Sequence, residues 1–160
     1  MNDILVAYFS ASGVTKKLAA ELAKVAGADL FEITPETPYT AADLDWKDQQ
    51  SRSTLEMKDP SCRPAVTGQV ENMAQYDVVF VGFPVWWGRE PSVVDTFLDA
   101  YDFTGKRIIP FCTSGGSDIG ETAKRIQEIV GAGATVQEGT RLGGTVSEED
   151  LKIWTAGLDL

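Results

Sequence analysis

Ile4-Leu5-Val6-Ala7-Tyr8-Phe9 runs directly into Ser10-Ala11-Ser12-Gly13-Val14-Thr15, and Lys16-Lys17-Leu18 follows. Six apolar residues in succession, with no polar alternation, are the pattern of a strand buried on both faces. Beyond the hydroxyl-rich loop, Val14, Leu18, Leu22 and Val25 recur at helical spacing with Ala19, Ala23 and Ala26 beside them, until Gly27 ends the segment. A buried strand, a tight polar loop and an amphipathic helix make the opening unit of a parallel α/β sheet, and the rest of the chain repeats that alternation.

Leu30-Phe31-Glu32-Ile33 reads as a second, short strand stopped by Thr34-Pro35. Val78-Val79-Phe80-Val81 is a third, followed by Gly82-Phe83-Pro84 and a helix starting at Pro91, where proline suits a first turn. Lys106 to Cys112 supplies a fourth strand, ending in Thr113-Ser114-Gly115-Gly116; Ser117 or Asp118 then caps a helix whose inward face is Ile119, Ala123, Ile126 and Val130. A weaker fifth strand lies around Ala134-Thr135-Val136. Ser147-Glu148-Glu149-Asp150 opens a last helix carrying Leu151, Trp154 and Leu158. The expected architecture is a three-layer, doubly wound α/β sandwich on a five-stranded parallel sheet, formed by residues 1–160 as one domain. Residues 34–66 stand apart: they show no clear periodicity and contain Pro35, Pro38, Pro60 and Pro64, with a short helix expected around residues 42–49.

Composition narrows the chemistry. The 160 residues include no histidine and two cysteines, Cys62 and Cys112, without metal-ligand spacing, which disfavours zinc sites and histidine-dependent acid–base catalysis. A formal charge of −10 repels nucleic acid and anionic membranes, and no apolar run approaches the ~18–20 residues of a membrane span. Met1-Asn2-Asp3 puts no basic segment before the first apolar run, so no secretory signal is expected and a cytoplasmic location is.

In a doubly wound sheet, ligands bind beyond the carboxyl ends of the strands, where strand order reverses. The loops after strands one, three and four hold the unusual residues. In the first, a helix N-terminus offers free N–H groups and about half a positive charge, Gly13 allows a close turn, and Ser10, Ser12 and Thr15 carry hydroxyls. A plain helix cap needs only one of them, and a phosphate socket uses all three. Neither G-x-x-x-x-G-K-[ST] nor G-x-G-x-x-G occurs here, Ser10 and Ser12 have no nearby base, and no carboxylates occupy the positions a phospho-acceptor domain needs. The second loop, Gly82-Phe83-Pro84-Val85-Trp86-Trp87-Gly88-Arg89, places two tryptophans at a strand end, suited either to stacking on a planar ring or to core packing or an oligomer contact. The third, Thr113-Ser114-Gly115-Gly116-Ser117, presents small side chains and accessible N–H groups.

Together these three motifs, in this order and along nearly the whole chain, resemble the flavodoxin family, particularly its compact members whose third strand ends in Gly-Phe-Pro-Val-Trp-Trp. The resemblance implies sheet order 2-1-3-4-5 and non-covalent FMN. Ser10, Ala11, Ser12, Gly13, Val14 and Thr15 would surround the phosphate, Pro84, Val85, Trp86 and Trp87 would lie beside the isoalloxazine, and Thr113, Ser114, Gly115, Gly116 and Ser117 would follow its pyrimidine edge. Two departures stand out. Electron-carrier flavodoxins commonly place a tyrosine in the third loop, and here that loop has no aromatic residue, leaving one flavin face open or covered by Tyr39 or Trp46 of residues 34–66. The dense acidic cluster of the family's third loop is also missing, with only Asp118 close by. The implied function is low-potential electron transfer to redox partner proteins with basic surfaces. The alternative is an FMN-dependent NAD(P)H:quinone-type oxidoreductase with a small quinone-like acceptor. A monomer or weak dimer is expected in either case.

Overall fold

A computed structural model describes residues 3–11, 13–45, 47–59, 61–86, 89–113, 122–142, 146–158 and 160. Its strands are β1 (Ile4–Tyr8), β2 (Asp29–Glu32), β3 (Thr34–Pro35), β4 (Val66–Thr67), β5 (Val78–Pro84), β6 (Arg107–Thr113), β7 (Thr135–Val136) and β8 (Thr140–Arg141). Its α-helices are α1 (Val14–Ala26), α2 (Arg52–Lys58), α3 (Ser92–Asp99), α4 (Thr122–Val130) and α5 (Glu148–Ala156). The main sheet has the order β2-β1-β5-β6-β7, with β8 also on β6, and every pairing in it is parallel. This is the order 2-1-3-4-5 that the resemblance to flavodoxins implies, on the parallel sheet expected from the alternation of strands and helices.

Strand periodicity divides the core into two layers. Leu5, Ala7 and Phe9 of the first strand segment, with Val79, Val81 and Phe83, face α3 and α4 among Val93, Phe97 and Ile126. Ile4, Val6 and Tyr8, with Val78, Phe80, Ile109 and Phe111, face α1 and α5 among Leu18, Leu22 and Leu151. Because both faces are covered, these strands read as unbroken apolar runs rather than as alternation. Gly27 ends α1 in the left-handed conformation with φ 66°, and Ser147 and Asp150 form a reciprocal capping box at the start of α5.

The fifth strand position is split, for a reason carried by one residue. Lys106, Ile108 and Cys112 turn their carbonyls toward that position, accepting from the N–H groups of Thr135, Gln137 and Leu142 at 2.8–2.9 Å. Pro110 belongs to the same alternate set and has no N–H to donate, so the ladder is interrupted between β7 and β8. Gln127 of α4 then covers the outer edge: its amide Nε2 donates to the carbonyls of Gly131 and Ala134, and its Oε1 accepts from Val136 N–H.

Residues 34–66 differ from expectation. Thr34 and Pro35 do not simply end the second strand; as β3 they pair antiparallel with β4, closing the segment at its base. The helix falls at Arg52–Lys58 rather than at residues 42–49, because Ser51 supplies the N-cap, its hydroxyl accepting from Thr54 N–H. Residues 41–44 form turns held by the Thr40 and Asp43 side chains, each accepting from the other's backbone N–H. Among the described residues, no helix is long and apolar enough to cross a membrane.

Candidate functional site

The first loop leaves β1 at its carboxyl end and enters α1 through Gly13, whose φ of 94° lies in the left-handed region that favours glycine. Gly13 N–H donates to Ser10 Oγ at 3.0 Å, which closes the turn. Among the described residues no side chain caps α1, and its first turn contains no acid. The helix N-terminus is therefore left with donors and partial positive charge directed at the sheet edge. Val14, Lys16 and Lys17 are exposed.

Thr15 is buried, and its hydroxyl is 2.7 Å from that of Thr113, also buried. This bond joins the first loop to the end of β6, where the third loop begins. One of the two hydroxyls must use its hydrogen within the pair, so the Thr15 side chain is engaged in the frame. Of the sequence candidates, Ser12, Trp87, Ser114, Gly115, Gly116 and Ser117 lie outside the described residues, as do Trp46, the proposed caps Ser117 and Asp118, and Ile119.

Trp86 is half-buried and pairs with Arg89 as an isolated antiparallel bridge, Trp86 N–H donating to Arg89 O at 3.0 Å and Arg89 N–H to Trp86 O at 3.2 Å. Its ring meets Phe9 edge-on at 5.7 Å between centroids and Tyr39 at 5.5 Å, while Phe9 and Tyr39 lie 5.6 Å apart. Such edge-to-face contacts favour this trio beyond the apolar area it buries. Tyr39 thus brings residues 34–66 against the second loop at Trp86. Its hydroxyl donates to Glu56 Oε1, Arg52 Nε donates to Glu56 Oε2 at 3.0 Å, and the Arg52 guanidinium lies 3.9 Å over the Tyr39 ring. Burial, with the Glu56 hydrogen bond and charge, raises the Tyr39 phenol far above its ordinary value, against the smaller opposing effect of Arg52. Tyr39 accordingly keeps its proton throughout the physiological range.

Beneath the second loop lies a charged cluster that sequence reading missed. The Arg89 guanidinium donates to the carbonyls of Glu56 and Met57 at 3.2 Å each, of Glu90 at 3.0 Å, and to Ser92 Oγ at 3.3 Å. It thereby ties the last turn of α2 to the start of α3, with a cation at the favourable end of α2. Arg125, in the first turn of α4, bridges Glu90 Oε1 at 2.8 Å and Asp95 Oδ2 at 2.9 Å. Burial raises the Asp95 carboxyl well above the usual range, helped by its hydrogen bond to Glu90 and that group's charge, while Arg125 and Arg89 pull the other way. The only sequence signal was the pair of charges in Gly88-Arg89-Glu90-Pro91, which looks the same as a solvated loop.

The comparisons with known proteins agree with this geometry. A family model described as Flavodoxin matches residues 3–158. A candidate flavoprotein from Bacteroides eggerthii DSM 20697 is 41% identical with a TM-score of 0.93, covering 100% of this chain and 99% of that one. Another from Bacteroides uniformis ATCC 8492 is 42% identical with a TM-score of 0.91, covering 97% and 98%. A flavoprotein from Lactobacillus acidophilus NCFM, solved in complex with FMN, shares the fold at a TM-score of 0.73 and 21% identity, covering 97% and 99%. A curated relative, NAD(P)H dehydrogenase (quinone) of Acidovorax ebreus (strain TPSY), is 34% identical over an alignment of 104 residues that covers 62% of this chain and 46% of that protein. The match thus spans about half the length of that relative. With the family model matching nearly every residue, and the sheet in this order, the chain belongs to the flavodoxin family.

Proposed function

We propose that this protein binds FMN at the carboxyl ends of β1, β5 and β6 and works as a low-potential electron-transfer protein. The observation that carries the reading is the start of α1: a helix N-terminus without an acid in its first turn, entered through a left-handed glycine, on the same sheet edge as the Phe9, Tyr39 and Trp86 rings. These residues fit the group: exposed donors suit its phosphate, and aromatic and small side chains suit its ring. Ser10, Ala11, Ser12, Gly13, Val14 and Thr15 hold the phosphate. Pro84, Val85, Trp86 and Trp87 lie beside the ring, with Thr113, Ser114, Gly115, Gly116 and Ser117 along its polar edge. FMN supplies the redox chemistry when bound. The protein positions it and limits solvent access, and the formal charge of −10 disfavours extra negative charge on the reduced cofactor. The same acidic surface attracts basic partner proteins.

The second reading, an NAD(P)H:quinone-type oxidoreductase, is supported by the name of the Acidovorax relative. A proton donor for that chemistry would be water rather than histidine, which the chain lacks, or Tyr39, which keeps its proton. Steady-state oxidation of NADPH or NADH with a soluble quinone separates the two. The carrier reading expects negligible turnover beside ready exchange of single electrons, and rapid turnover overturns it.

A further inference from the structure

Glu90 and Asp95 are both wholly buried, on adjoining parts of the turn and helix that follow the second loop. Arg125 takes one oxygen from each, Glu90 Oε1 and Asp95 Oδ2. The other two oxygens, Glu90 Oε2 and Asp95 Oδ1, are buried without a hydrogen-bond partner among the described donors. Arg125 thus holds the two carboxyl groups side by side, each with its second oxygen buried and unpartnered. An ionised carboxylate only accepts, so two of them cannot bond to each other; a hydrogen bond between them requires a proton on one. A single proton shared between those two oxygens would satisfy both, whereas two bare carboxylates leave two buried acceptors unmet.

We propose that Glu90 and Asp95 share one proton, and that this pair is a positioning device for the Trp86–Arg89 bridge and so for the aromatic wall of the FMN site. The inference rests on the FMN reading for its functional half only. The groups facing the pair come from every packed element: Arg89 from the turn, with Nη1 3.5 Å from Asp95 Oδ2; Arg125 from α4; and Arg63, from the segment after α2, 3.8 Å from Asp95 Oδ2. Arg63 is also paired with Asp99 of α3, and Asp59 and Cys62 lie in the segment leading to it. With one proton held, Arg89 and Arg125 exceed the pair by one positive charge. Loss of that proton removes the bond between the acids and brings two negative charges together at the base of α3. The strain falls on Glu90, one residue from the Arg89 rung that fixes Trp86.

The experiment begins with infrared spectroscopy of the FMN-free protein at neutral pH, which tests the proton independently of any cofactor. The expected result is a carbonyl stretch from a buried protonated carboxyl group, shifted in D₂O and absent from both Glu90→Gln and Asp95→Asn. Absence of the band from the wild type, or its persistence in both variants, overturns the shared proton. Glu90→Gln keeps shape and supplies an amide donor to Asp95, so it should fold even where Glu90→Ala does not. Tryptophan emission and the FMN dissociation constant are then followed against pH. The wild type should show a shift in emission and FMN binding that weakens by up to about tenfold per pH unit, the limit for one linked proton. Glu90→Gln should show neither dependence and should bind FMN as the wild type does at neutral pH. Identical profiles for wild type and Glu90→Gln overturn the positioning role. If FMN binds to neither, the functional reading fails, and emission alone decides whether the pair positions the turn.

Discussion

Thr15 and Thr113 allow the connection between the first and third loops to be tested by a pair of nearly isosteric substitutions. Their hydroxyls lie 2.7 Å apart and both side chains are buried, at 1% and 5% exposure, so neither has bulk water as a substitute partner. Thr15→Val or Thr113→Val alone removes one hydroxyl and strands the other, which costs about 1–3 kcal/mol for an unsatisfied buried polar group. Thr15→Val together with Thr113→Val replaces both with methyl groups of the same shape and strands nothing. The double variant should therefore be more stable than the sum of the single effects predicts, with a coupling of about 1–2 kcal/mol. Urea unfolding of the FMN-free protein measures it, with each single variant lowering the melting temperature by about 2–4 °C per kcal/mol at this size. Single effects that simply add, or singles that cost nothing, would refute the claim that this bond joins the two loops.

Two further outcomes follow from the frame. A Cβ on Gly82 would lie 2.2 Å from Phe111 Cζ, and Phe111 is itself packed against Trp154, so Gly82→Ala should destabilise the protein by about 1–3 kcal/mol through overpacking; calorimetry showing no loss would contradict that packing. The Asp95 carboxyl, raised by burial and by Glu90, makes the folded protein bind more protons than the unfolded chain above the ordinary Asp value of 3.8. Its contribution is complete below that value and is lost as pH climbs through the raised one, so denaturant midpoints should fall with rising pH, and Asp95→Asn should flatten the slope.

Much of this was legible in the sequence because the governing signals are local. Unbroken apolar runs at residues 4–9 and 78–81 announce strands covered on both faces, and Gly27 and Ser147 mark helix ends by backbone chemistry that their neighbours do not alter. The split fifth strand was also written locally, in Pro110, but its effect depends on which side of β6 that residue faces, and register is a property of the assembled sheet. The helix Arg52–Lys58 is short, and its capping serine competes with several similar residues nearby, so periodicity alone displaced it. The cluster of Arg89, Glu90, Asp95 and Arg125 was illegible for another reason: its members are separated by up to 36 positions and read individually as surface charges. Only folding brings a residue of α4 against a turn after β5 and shows that the acids are buried. Tyr39 falls between these cases, since its residue type suggested an aromatic near the site and only the tertiary contact shows that it packs on Trp86.

The central claim is that the N-terminus of α1 receives the phosphate of FMN, and the most direct measurement compares FMN with riboflavin, which has the same ring and no phosphate. Each is titrated into the FMN-free protein and followed by quenching of flavin fluorescence. A single hydrogen bond to a charged group contributes about 1.5 kcal/mol or more, so FMN should bind at least about tenfold more tightly than riboflavin, and Ser12→Ala should narrow the gap. Equal affinities for the two flavins, or no quenching by FMN, would contradict the account.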